Sequence, residues 1–255
     1  MSALEVVSIL LAGLAAGTIN TIVGSGTLIT FPTLLFFGIP PVSANVSNTV
    51  GLVFGGITGV HGYRRELAGS QEALRRLMPM SFLGAVVGAL LLLILPESAF
   101  SAIVPALILL GVVLVIAGPR LQALAATRHT DRAVPWHQWA MMAGVFFAGI
   151  YGGYFGAAQG VLLMGIMTAL SAEPLQRLNG YKNVLGTVVN AVAAVTFMLV
   201  AWGTIRWWVA ALVGVGAFAG GIVGSTVGRR LPPLALRGVI VLIGVVAILK
   251  ILLLD

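Results

Sequence analysis

The chain has 255 residues, 59% of them hydrophobic and 8% charged, with a mean hydropathy of +1.09 and a formal net charge of +7. So few charges cannot cover a water-soluble domain of this size, and the composition points to an integral membrane protein. The lack of cysteine excludes disulfides, thiolate catalysis and cysteine-ligated metals, and the arginines fall in short clusters between apolar runs, as positive-inside residues do and nucleic-acid-tracking patches do not.

In the first half the apolar runs are 6–23, 28–38, 44–60, 77–95 and 99–118. The opening Met1-Ser2-Ala3-Leu4-Glu5 lacks the basic start of a cleavable signal, so run 6–23 is expected to remain in the membrane. It ends in Val23-Gly24-Ser25-Gly26-Thr27-Leu28-Ile29-Thr30-Phe31-Pro32, where two glycines, three hydroxyl side chains and a proline interrupt the hydrocarbon pattern. Such a break is tolerated at membrane depth only where it is buried in protein or lines a cavity. A charged, turn-forming stretch, 119–135, reads as a cytoplasmic linker.

The second half contributes runs 139–151, 161–170, 184–201, 207–228 and 234–254, and a second break, Tyr151-Gly152-Gly153-Tyr154-Phe155-Gly156-Ala157-Ala158-Gln159-Gly160. A perpendicular span needs about 20 residues. Runs 28–38, 139–151 and 161–170 fall short, which predicts re-entrant or strongly tilted hairpin arms with the glycine-rich breaks at their tips. The five tryptophans sit near span ends, as an interfacial aromatic belt requires.

Placing most basic residues in the cytoplasm puts twelve of them inside and only Arg206 and Lys250 outside, with both termini outside. The halves then repeat the same element order with opposite orientation. The fold class expected is an all-α integral membrane protein of two inverted-topology repeats, 1–118 and 136–255, each a broken hairpin plus three transmembrane helices. Weak internal similarity runs the same way: Ala12-Gly13 answers Ala143-Gly144, Val23-Gly24 answers Phe155-Gly156, and Pro40-Pro41 answers Glu173-Pro174.

Each tip is followed by a helix start, whose unpaired N–H groups and positive dipole end favour an anion. Gly24, Gly26, Gly156 and Gly160 would let an anion approach the backbone, and Ser25, Thr27 and Gln159 could add side-chain hydrogen bonds. The polar clusters Asn45-Val46-Ser47-Asn48-Thr49 and Asn179-Gly180-Tyr181-Lys182-Asn183 open the next spans. They could cap helices or reach back to the tips, so Asn48, Thr49, Lys182 and Asn183 join the candidate substrate-binding set. Lys182 has two fates, snorkelling to the cytoplasmic face (the one expected first) or lending charge to an anion path. Asn20, Thr21, Tyr151 and Asn190 are further candidates for lining. Glycines 13, 17, 55, 59, 216, 220, 224 and 228 read instead as close helix-packing contacts.

Every acidic residue falls in a loop or at a terminus, and His61, His129 and His137 lie in loops or at a span edge. No intramembrane carboxylate, histidine relay, metal-ligand cluster or nucleophile–base pair is visible, so neither a catalytic residue nor a cofactor is expected. Weak or substrate-borne proton coupling follows.

Residues 12–26 with Phe31-Pro32, then Gly38-Ile39-Pro40-Pro41, Ala44 and Ser47-Asn48-Thr49, resemble the sulfite exporter TauE/SafE family of bacterial membrane permeases. Residues 149–160 and Asn179-Gly180 with Lys182-Asn183 fit the same pattern. Ser25, Thr27 and Ala157-Ala158-Gln159 replace parts of the family's glycine runs, which bears on substrate rather than on the transport role. The resemblance implies a permease for small sulfur-containing anions such as sulfite, thiosulfate or sulfoacetate in the bacterial inner membrane. An anion channel, or a non-transporting membrane enzyme or scaffold, are the alternatives. The expected partners are the small anion, the lipid bilayer and, for assembly, a second copy in a homodimer; nucleic acid is not among them.

Overall fold

The computed structural model describes residues 2–126, 135–226 and 238–246, and among these every regular element is helical. The first half gives α1 (Ala3–Ile22), α2 (Thr27–Phe36), α3 (Pro41–Gly62), α4 (Gln71–Ile94) and α5 (Glu97–Ala126). The second gives α6 (Pro135–Tyr154), α7 (Gln159–Leu170), α8 (Leu175–Val200) and α9 (Trp207–Thr226), and residues 238–246 are also helical. Helices satisfy all their backbone groups within one segment, which is what an apolar run in hydrocarbon demands. Among the described residues, α1, α4, α8, α9 and α5 through Leu124 are long and apolar enough to cross a bilayer.

The two short helices settle how far the hairpin arms reach. α2 has 10 residues and α7 has 12. At 1.5 Å per residue these are roughly 15 and 18 Å long, about half the hydrocarbon thickness. The third expected short arm is not short: α6 is a full 20 residues, extending run 139–151 at both ends. Gly152 and Gly153 continue that helix, so the second break narrows to residues 155–158, just as the first narrows to 23–26. α5 likewise runs past Pro119 into the expected linker, because the following Arg-Leu-Gln-Ala-Leu-Ala-Ala are strong helix formers. The rest of the linker, 127–134, lies outside the described residues, as does Gly228.

The two halves are built alike where the chain turns. The Ile19 carbonyl accepts from the N–H groups of Val23 (2.7 Å) and Gly24 (3.1 Å), and the Tyr151 carbonyl accepts from Phe155 (2.9 Å) and Gly156 (3.0 Å). Gly24 and Gly156 have φ of +88° and +76°, left-handed values that a Cβ would penalise. Pro40 and Pro174 stand as the N-caps of α3 and α8 with nearly the same backbone angles, φ −53° and −58° and ψ 142° and 141°.

Glycine seams lock one half into the other. Gly13 and Gly17 of α1 lie against Val213 and Ala217 of α9, while Gly216, Gly220 and Gly224 lie against Leu10, Leu14 and Thr18. α4 and α6 repeat the arrangement, with Gly84 and Gly88 on Phe146 and Ile150, and Gly149 and Gly153 on Ser81 and Ala85. Lipid tails are as apolar as leucine, so close backbone approach is what holds such helices together. Helices α3 and α8 pack on each other and carry the polar clusters between these seams.

A buried aromatic trio braces the second tip. Phe31 meets Phe155 edge-on at 5.0 Å between ring centroids, and Phe100 joins both at 6.4 and 6.0 Å. Phe31 is fully buried midway along α2. Phe31→Ala is expected to cost about 3–5 kcal/mol through the cavity it leaves. Thermal unfolding of the purified protein checks this; an unchanged midpoint would mean that the trio does not brace the tip.

Candidate functional site

The two tips, each placed by its own hairpin, meet. The Gly160 N–H donates to the Gly24 carbonyl at 2.9 Å, and the two glycine backbones touch so closely that a Cβ on either would collide with the other. Only paired glycines allow this approach. α2 therefore starts at Thr27 and α7 at Gln159 on either side of one backbone-to-backbone contact.

Beside that contact lies a polar recess of about 20 Å³, room for roughly one water. Seven of the eleven candidate site residues line it: Gly24, Thr27, Gly156, Gln159, Gly160, Lys182 and Asn183. Asn20, Thr21 and Asn190 line it too. Tyr151 does not; its hydroxyl donates to the Ala157 carbonyl and ties α6 to the second tip.

The other four serve the walls. Gly26 packs under Ala16 and Asn20 of α1. Ser25 is wholly buried at the first tip, with no partner for its hydroxyl. Asn48 accepts from the Thr30 hydroxyl at 2.5 Å and donates to Thr27 Oγ1 at 3.3 Å, which fixes the start of α2 from α3. Thr49 donates back to the Asn45 carbonyl within its own helix at 2.9 Å. The polar clusters do not cap their helices, since Pro40 and Pro174 hold those positions. They reach back to the tips instead, and Asn45 shows the same habit by donating to the Tyr154 carbonyl at 2.9 Å.

Lys182 does not snorkel. Its side chain is 2% exposed, and Nζ donates to the carbonyls of Thr21 (2.8 Å) and Asn20 (3.1 Å). Those carbonyls belong to the last turn of α1, the negative end of its dipole, which is a favourable seat for a cation. Asn183 donates to the same Thr21 carbonyl at 3.2 Å. Among the described residues the ion pairs are Glu72–Arg76 and Glu173–Arg177, both near helix ends, and no carboxylate faces Lys182. A titratable group thus does stand in the recess, which is the second of the two fates the sequence left open for Lys182.

Gly160 departs from expectation in another way. Its N–H was expected to be free for an anion, yet it is committed to Gly24. On side chains, the unspent donors are the Gln159 amide nitrogen, buried without an acceptor, and the third N–H of Lys182. Leu52, Gly56, Gly186 and Thr187 also line the recess and were not anticipated. The signal existed for α8, because Lys182, Asn183, Gly186, Thr187 and Asn190 recur at the spacing of one helical face.

The comparisons with known proteins agree with this architecture. The family model described as sulfite exporter TauE/SafE matches residues 9–251. A probable membrane transporter protein ORF9 from Sinorhizobium sp. is 30% identical over 84% of this chain and 79% of its own length. A probable membrane transporter protein from Haemophilus influenzae is 26% identical over 86% of this chain and 82% of its own, and the probable membrane transporter protein YfcA from Escherichia coli K12 is 26% identical over 93% and 86%. No solved structure matches. A multi-pass helical membrane protein with two broken hairpins whose tips meet, matched by this family model along nearly its whole length, belongs to the TauE/SafE sulfite exporter family of membrane transporters.

Proposed function

We propose that the chain is an alternating-access permease for a small sulfur-containing oxyanion or organosulfonate (the sulfite, thiosulfate and sulfoacetate class) in the bacterial inner membrane. The observation that carries this reading is Lys182, a buried lysine that no carboxylate faces among the described residues, at a polar recess where two tips meet. A buried unpaired charge costs several kcal/mol unless something neutralises it, and intramembrane charges mark substrate paths. An anion entering the recess would supply the missing partner, and the free Gln159 donor would bind one of its oxygens.

The repeats 1–118 and 136–255 are taken as inverted, with both termini outside and the linker 119–135 in the cytoplasm, following the arginine distribution. One repeat would rock against the other about the Gly24–Gly160 contact. The recess is too small for any oxyanion as it stands, which suits an occluded state between openings rather than a continuous pore. In proteoliposomes, unlabelled sulfite or sulfoacetate inside is expected to accelerate entry of the labelled anion by counterflow. Anion conductance in planar bilayers without counterflow would favour the channel reading and overturn the carrier.

A further inference from the structure

Behind the two helices that wall the recess lies a second space, and it opens to lipid. α3 turns Leu52 and Gly56 to the recess, and α8 turns Thr187 and Asn190 to it. Other faces of the same helices, with α9, enclose a groove of about 360 Å³. Four alanines make it, Ala191 and Ala194 of α8 and Ala210 and Ala211 of α9, beside Val50 and Phe54 of α3. Larger side chains would fill the space between these helices, as close packing requires, and alanines leave it open. Phe54, Val195 and Ala211 on its rim are exposed, so the groove faces the membrane. One end is marked. Trp207, in the first turn of α9, lines the groove and meets Trp202 with ring centroids 4.4 Å apart. Tryptophans at helix ends sit at headgroup level. Between them in the chain is Arg206, an exposed cation whose backbone N–H donates to Ser47 Oγ of α3 at 2.8 Å. From Met198, near this end, the groove follows α8 to Ala191, about 10 Å away at 1.5 Å per residue.

We propose that this groove is a phospholipid site: one acyl chain lies between α3, α8 and α9, and the lipid phosphate pairs with Arg206. The chain restores contacts that the alanines leave unmade, since an unfilled space forfeits dispersion along every wall. The described residues that line the groove are all apolar or aromatic, which suits a hydrocarbon chain. The phosphate brings charge of the right sign to the depth where Arg206 stands. A transmembrane helix from a second copy fits less well. With its side chains it is about 10–12 Å across, and over the same 10 Å it would need roughly twice the volume. The lipid site is separate from the anion recess and stands whatever the transported anion is.

Native mass spectrometry of the full-length protein, titrated with dioleoyl phosphatidylglycerol or with dioleoylglycerol, tests this. The two lipids share their chains, and the second has no phosphate. Phosphatidylglycerol is expected to occupy one site at concentrations roughly fivefold below those dioleoylglycerol needs, the attraction of one arginine. Ala211→Phe, a change at an exposed position that fills the groove, should lower occupancy by both lipids roughly tenfold. Val215→Phe, at an exposed position of α9 outside the groove, should leave occupancy unchanged. Arg206→Gln should remove the preference for the phosphate and spare binding of the chains, and it decides alone if Ala211→Phe does not fold. Equal occupancy in the Ala211→Phe and Val215→Phe variants overturns the groove as the seat of the chain. An unchanged preference in Arg206→Gln overturns the phosphate pairing. A protein dimer that Ala211→Phe breaks gives the groove to a second copy and overturns the lipid site. Each of these results leaves anion counterflow to be judged by itself.

Discussion

Gly160→Ala is expected to abolish transport, and Gly165→Ala, five residues along the same helix, to leave it intact. A Cβ at position 160 would meet the backbone of Gly24 and stand 3.0 Å from Lys182 Cδ. Neither neighbour can yield cheaply, because Gly24 is locked by its left-handed turn and Lys182 by its two carbonyls. The tips must part, breaking the Gly160–Gly24 hydrogen bond and moving α7 away from α1. At Gly165 a Cβ meets nothing within 4 Å. There alanine removes only backbone freedom, and about 0.5–1 kcal/mol of added stability is expected. Uptake by each variant in proteoliposomes, normalised to folded protein by size-exclusion chromatography, decides the matter. Full transport by Gly160→Ala would show that the tip contact is not part of the working cycle. The counterpart Gly24→Ala adds a backbone penalty of roughly 1–2 kcal/mol for an L-residue in the left-handed region, and it should be the worse folder of the pair.

Gly17→Val should fail earlier, at assembly. A Cβ there would stand 2.7 Å from Ala217 Cα and also run into the Ala217 carbonyl, so the obstacle is backbone. α1 would have to lift off α9, losing the close approach that Gly13, Gly216 and Gly220 make along the same seam. Overpacking of this kind costs about 1–3 kcal/mol or more, and here the energy is drawn from the contact between the two halves. Lower yield of monodisperse protein and a lower unfolding temperature are expected for valine, with alanine between valine and wild type. A valine variant as stable as wild type would mean that the α1–α9 seam is not closed as described. The two substitutions differ in kind: Gly17 spoils the scaffold, whereas Gly160 spoils the place where the scaffold delivers its tips.

Position 182 illustrates what a sequence leaves open. A lysine near a span end can snorkel or be buried, and the sequence by itself favoured snorkelling. The partners that decide it, the carbonyls of Asn20 and Thr21, lie 162 and 161 residues earlier. The same holds for Gly160, whose N–H looked free until the other half of the chain supplied Gly24. α6 was underestimated for a local reason. Gly152 and Gly153 read as a break, yet they are helical because Ala85 and Ala89 of α4 press against Gly153 and the Gln159 side chain against Gly152.

From the chain alone one could place the apolar helices, two of the three arms expected to be short, the tips at Gly24 and Gly156, and the confinement of acidic residues to loops and helix ends. These follow from local requirements: hydrocarbon forces each run to close its own hydrogen bonds, and glycine with polar residues marks where a run cannot. The tertiary structure alone decided which polar groups found partners, which stayed unspent, and that Lys182 sits walled in beside the tips with no carboxylate facing it among the described residues. Those outcomes depend on backbone groups brought together from opposite halves, and no local pattern specifies them.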